Sequence, residues 1–208
     1  MWKRLYQRLI AAEGYQLIRP PEAKIDAALT RAEGALGVRL PNSYGAFIHE
    51  FGPGELGGYF RIYGPHIDSF ADYGEDLLEC VDRWQEEGMD GQKAVSAARV
   101  ERLLCFSTTI GGDACFWDTG DVRNSRNHEY SIFVLSHDRF PQKLRRLANS
   151  FKDFVNQVCL GSGLGGRDAD SGPPQRFSPA WKLKTVKRAQ SKRAEPRTAP
   201  DRSRRSDS

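Results

Sequence analysis

Between Leu40 and Gly52 the apolar residues Tyr44, Phe47, Ile48 and Phe51 recur at i, i+3, i+4 and i+7, the spacing that gathers side chains on one face of an α-helix. Pro41 lacks a backbone N–H and biases Leu40 away from the α region, so any preceding helix ends before it. Asn42 is then the predicted N-cap, its side-chain oxygen accepting a first-turn N–H, and Gly52 is the stop. A soluble chain buries so aromatic a stripe against a sheet or a second helix.

Other segments carry weaker versions of the same code. Trp2, Leu5, Tyr6 and Leu9 predict a short amphipathic helix in an accessory segment, residues 1–19. Pro20-Pro21-Glu22 opens a second helix with Ile25, Leu29, Ala32 and Leu36 facing inward, closed by Gly37. Gly52 to Gly58 has turn chemistry. Tyr59 to Tyr63 reads as a strand, as do Val100 to Phe106, Ala114 to Asp118 and Glu129 to Ser136. Tyr73, Leu77, Val81 and Trp84 predict a helix whose outer face is acidic, since nine acids and one base lie between Asp68 and Asp90. Leu144, Leu147, Phe151, Phe154, Val155 and Val158 predict a long closing helix. The expected fold is α+β: an antiparallel sheet from Tyr59 to Ser136, flanked by helices around Ile25, Tyr44 and Leu147.

Charge divides the chain. From Gly161 to Ser208 twelve Lys and Arg face five Asp and Glu, a balance of +7, which leaves −3 on residues 1–160. The pI near 8.9 therefore belongs to the tail. This tail begins as a Gly/Ser linker and continues rich in Pro, Ser, Arg and Lys, so a folded domain over residues 20–160 and a disordered basic tail over 161–208 are expected, with the tail dispensable for folding.

The run Ile25 to Gly58, with its Leu40-Pro41-x-x-Tyr44 helix start, resembles the Smi/Knr-like members of the SUKH superfamily. Gly112-Asp113 leading into Cys115-Phe116-Trp117 is similar to the family's turn into a strand, and Ser150-Phe151-x-x-Phe154 to its closing helix. The resemblance spans roughly Pro20 to Leu160. It implies a non-enzymatic protein-binding module. Many bacterial relatives look like immunity proteins that neutralise a cognate polymorphic toxin, and fungal ones like regulators of cell-wall assembly. It brings no catalytic positions, and it makes Leu40, Pro41, Tyr44, Phe47 and Gly58 structural residues. The alternative function, from a different class, is an intracellular scaffold or regulator whose basic tail docks on nucleic acid or an acidic partner.

Candidate chemistry is sparse. Two G-x-G-x-x-G matches, at Gly52, Gly54, Gly57 and at Gly161, Gly163, Gly166, each follow a helix, whereas a dinucleotide loop follows a strand and opens a helix; no cofactor is expected. Ser136, His137 and Asp138 are adjacent in a strand-like run and cannot form a triad. His49 reads as a hydrogen-bonded structural histidine, and His66 and His128 as loop residues. Asp68, Asp72 and Asp76 can stack on one helix face but lack the turned loop of a cation site, so no metal is expected. Cys80, Cys105, Cys115 and Cys159 have no metal-ligand spacing and read as buried thiols. Basic and polar residues interrupt each apolar run near Met1, and a cytoplasmic protein without a membrane segment is expected.

Toxins that attack nucleic acid present basic surfaces, so a neutralising protein gains association rate from an acidic one. The expected partner is a protein, a toxin domain above all. Its expected contacts are Asp72, Glu75, Asp76, Glu79 and Asp82, with Trp84 as an anchor if exposed; the alternative is that these acids only keep the helix soluble, and Asp113 is most simply a turn residue that an exposed corner also offers to a partner. Lys182, Lys184, Lys187, Arg188, Lys192 and Arg193, headed by Trp181, leave phosphate binding open through the tail alone.

Overall fold

The computed structural model describes residues 1–67, 76–86, 96–136, 144–162 and 175–186. Helix α1 (Trp2–Leu9) buries Leu5, Tyr6 and Leu9 and leads through a 3₁₀ turn, Ala11–Glu13, into the short strand β1 (Tyr15–Leu17). Helix α2 (Glu22–Leu36) buries Ile25, Ala28 and Ala32 and ends at Gly37, whose left-handed φ of 66° releases the chain from the helix. Helix α3 (Asn42–Phe51) carries the stripe, and Tyr44, Phe47, Ile48 and Phe51 are all fully buried.

A seven-stranded sheet, all antiparallel, forms the centre in the order β7-β6-β5-β4-β3-β2-β8. Its members are β2 (Gly54–Leu56), β3 (Phe60–Ile62), β4 (Leu103–Thr109), β5 (Ala114–Asn124), β6 (Glu129–Leu135), β7 (Arg145–Ala148) and β8 (Phe177–Pro179). The order from β2 to β7 is consecutive, as hairpins dictate. A second, two-stranded sheet joins β1 to β9 (Leu183–Thr185).

Helices cover both faces. Consecutive residues on a strand point to opposite sides, and Phe116 and Trp117 on β5 show which helices lie where. The Trp117 ring stacks on Phe106 at 4.3 Å and meets Tyr44 of α3 edge-on at 4.9 Å. Phe116 instead meets Trp84 of α4 (Leu77–Glu86) at 5.5 Å. On the α3 side the closing helix α6 (Phe151–Asp153), which runs on in wider π-type turns over Phe154–Ser162, adds Phe151 against Phe47 and Phe154 against Phe106. The architecture is α+β.

Several local expectations are corrected. Asn42 does not cap α3: Pro41 holds the cap position and no side-chain oxygen of the preceding residues serves the first turn. Gly54 to Leu56 is a strand rather than a turn, because β3 and β8 both pair with it. Val100 ends a short helix, α5 (Ala97–Val100), and β4 begins three residues later. Leu144 and Leu147 do not join the closing helix. Ser150 is extended, at φ −157° and ψ 160°, and its hydroxyl accepts the Asp153 N–H at 3.1 Å, so the helix starts at Phe151 while Arg145–Ala148 pairs with β6.

The largest difference lies beyond Leu160. The sequence reading ends the domain there, yet residues 175–186 contribute β8 and β9 to the two sheets. Phe177 packs on Phe51 at 5.2 Å, and Trp181, read as the head of a solvated basic run, is only 3% exposed. Trp181 lies on Gly52, where any Cβ would come within 2.5 Å of the indole. Gly52 therefore does more than stop α3: at φ 70° and without a side chain it makes the seat for Trp181. Lys187, Arg188, Lys192 and Arg193 lie outside the described residues.

Candidate functional site

The outer face of α4 is built by its periodicity. Leu77, Cys80 and Val81 point into the core, which turns Glu79, Asp82 and Glu86 to solvent. Trp84 is half-buried with its edge against Phe116, so only part of the ring is available to an anchor role. Asp76 caps the helix. Its Oδ1 accepts the Leu78 N–H at 2.7 Å, capping α4, its Oδ2 lies 3.6 Å from His66 Nδ1, and its main chain bridges to Gly64. Asp72 and Glu75 lie outside the described residues. The acidic ridge thus rests on Glu79, Asp82 and Glu86, the last of which the sequence reading did not single out.

Asp113 is the turn residue that its Gly-Asp context suggests, with little surface exposed. It is 8% exposed, its N–H bonds to Thr109 Oγ1 at 3.0 Å and its carbonyl receives the Thr109 N–H at 2.8 Å, so it closes the β4–β5 turn from inside. Ile110, at 64%, is the exposed tip of that turn.

The family-motif residues lie in the core or in a tight turn. Leu40 and Pro41 are buried at the entry to α3, Tyr44 donates its hydroxyl to the Tyr63 carbonyl at 2.8 Å, and Phe47 stacks on Phe51 at 4.9 Å. Gly58 adopts φ 62° in the β2–β3 turn, beneath the Arg176 guanidinium. Burial, and after it the charge of Asp76, pushes the Tyr44 phenol well above its ordinary range.

Near the start of α3 a polar cleft of about 570 Å³ is lined by Asn42, Asn124, Asn127, Asn149 and Lys152 around the Glu129 carboxylate. Glu129 has the look of a functional acid, being 7% exposed at the end of β6. Its oxygens are nonetheless committed: Oε1 accepts the Ser43 N–H at 3.0 Å, and Oε2 accepts the Ser43 hydroxyl at 2.9 Å and the Phe151 N–H at 3.1 Å. Both helices on that face start on this one side chain, which replaces the expected Asn42 cap. Nothing in the local sequence signals it, because the contact spans 86 positions.

The remaining candidates find ordinary roles. His49 Nε2 lies 2.9 Å from Asp26 Oδ1, and His128 sits in a turn at φ 52°; His137 is outside the described residues. All four cysteines are buried free thiols. Burial raises the Cys105 and Cys115 thiols well above their ordinary value of 9.0, with Cys80 adding to the effect at Cys105 and Asp113 at Cys115. Among the described residues no cluster of His, Cys, Asp and Glu can hold a metal ion, and no helix is long and apolar enough to cross a membrane.

Beside Trp84 on the same sheet face, the guanidiniums of Arg99, Arg102, Arg123 and Arg146 form a row over β5 to β7. The half-buried tryptophan and the basic row therefore share one face, Trp84 on Phe116 and the arginines over its neighbour Phe133. Such an arrangement can steer and orient a charged macromolecule.

The model of the SMI1 / KNR4 family (SUKH-1) matches residues 26–157, a span that runs from α2 into the closing helix. No curated protein matches the chain.

Proposed function

Because the chain belongs to the SMI1/KNR4 family (SUKH-1), we propose that it is a protein-binding module of the toxin-immunity type, which neutralises a cognate toxin by occupying its surface. The family match carries this reading. Exposure of Glu79, Asp82 and Glu86 on α4 supports it further, because a nuclease-like toxin has a basic face that an acidic ridge attracts. The reading requires no chemistry of the module itself. Trp84 supplies the apolar element, its half-buried ring fixed by Phe116 and thus presented with little entropy to lose on binding.

The experiment is to look for a toxin domain encoded in the neighbouring open reading frame and to co-express it with this chain. Cells that carry both survive and the two proteins co-purify as a complex. Survival lost on Glu79→Lys with Asp82→Lys, with the variant still folded, supports the ridge. Cells that die despite soluble, folded protein contradict the immunity reading.

A further inference from the structure

The arginine row is more than a solvated surface. Arg123 Nη2 and Arg146 Nη2 both lie 2.8 Å from the same oxygen, Oδ2 of Asp121, and Arg123 Nε and Arg146 Nη2 both donate to Ser131 Oγ. Arg99 Nε lies 3.1 Å from Asp118 Oδ2, with Arg102 4.0 Å from the other oxygen. Among the described residues these four guanidiniums share two carboxylates, a balance of two positive charges. The Arg99 and Arg146 guanidiniums also lie 4.6 and 5.8 Å from the centroid of the Phe133 ring, and the four side chains keep between 35 and 51% of their surface exposed.

We infer that this row is a binding surface for an acidic, extended polypeptide segment, independent of the toxin reading and of α4. Guanidinium forks recognise planar carboxylates bidentately, and preorganised arginines lose little entropy in doing so. A nucleic acid fits less well. Its affinity comes from many phosphate contacts, whereas here Asp118 and Asp121 sit within the row, where they repel a continuous phosphate backbone. A peptide with a few separated carboxylates meets the arginines with less negative charge brought over Asp118 and Asp121. The row also runs out to β7, the edge strand of the sheet on that side, along which an extended segment can lie.

Fluorescence anisotropy with a labelled peptide of about twelve residues of alternating Glu and Thr tests this, enough to span several strands' width. The full chain binds the peptide, and the double substitution Arg123→Gln with Arg146→Gln weakens it about tenfold or more. Asp121→Asn removes a competing carboxylate and tightens binding about threefold, an effect opposite to that of mere structural damage. Oligodeoxythymidine of equal charge binds more weakly than the peptide. No peptide binding, an unchanged Kd in the double variant, a weaker Kd in Asp121→Asn or tighter binding of the oligonucleotide would each overturn the inference.

Discussion

Glu129 on β6 holds Ser43 at the first turn of α3 through both of its carboxylate oxygens, at 3.0 Å to the N–H and 2.9 Å to the hydroxyl. With the Phe151 N–H at 3.1 Å, the same side chain anchors the two helices that cover the Trp117 face of the sheet. A residue remote in sequence thereby does what a local N-cap does elsewhere, and it also fixes the helices to the strand.

Glu129→Ala is expected to cost about 3 kcal/mol or more, since each hydrogen bond to a charged group is worth about 1.5 to 3 kcal/mol and three donors lose their acceptor. Glu129→Gln keeps one accepting oxygen and is expected to cost roughly half as much. Urea unfolding at neutral pH measures both. Midpoints equal to the parent's would remove Glu129 from its place as anchor.

The C-terminal strands give a second expectation. A chain ended after Val186 keeps the parent's melting midpoint, because Trp181 and both strands remain. One ended after Leu160 loses Phe177 and Trp181 from the core and melts markedly lower, and Trp181→Ala alone costs about 3 to 5 kcal/mol. Equal midpoints for the two truncations would show that residues 175–186 add nothing to stability.

The thiols set the alkaline limit. Cys105 and Cys115 have folded-state values raised above 9.0, so the unfolded chain loses those protons first and binds fewer of them as pH rises. Stability from these groups is complete below about pH 9 and falls above it, by up to about 1.4 kcal/mol per pH unit for each thiol. Chemical denaturation between neutral pH and pH 10 follows the loss. In the native protein at pH 8 the four buried thiols resist a thiol-specific reagent until the chain unfolds, and rapid labelling of all four under native conditions would contradict their burial.

What the sequence made legible was whatever a single period encodes. The stripe on α3, the inward face of α2 and the amphipathic α1 follow from spacing, and strands β3 to β6 from their aromatic and β-branched composition. Leu144 and Leu147 misled because their spacing from Phe151 is helical, while the extended Ser150 between them decides the outcome. Trp181 misled because composition around it is that of a linker, and only the bare Gly52 shows where its ring goes. Of the candidate surface, Glu79 and Asp82 stand where periodicity put them. Asp76 and Asp113 were claimed by a helix cap and a tight turn, uses that acids near a turn have whether or not they also meet a partner.

The proposed acidic ridge as docking surface is tested most directly by stopped-flow association with the toxin domain that co-expression identifies as partner, followed across ionic strength. For the parent the rate falls steeply as salt rises, since exposed charges are screened beyond about 10 Å at 0.1 M salt. Glu79→Lys, Asp82→Lys and Glu86→Lys together are predicted to slow association at low salt by about tenfold or more and to flatten the salt dependence, with the melting temperature nearly unchanged. A triple variant that associates as fast as the parent at low ionic strength would contradict the assignment of α4 as the interface.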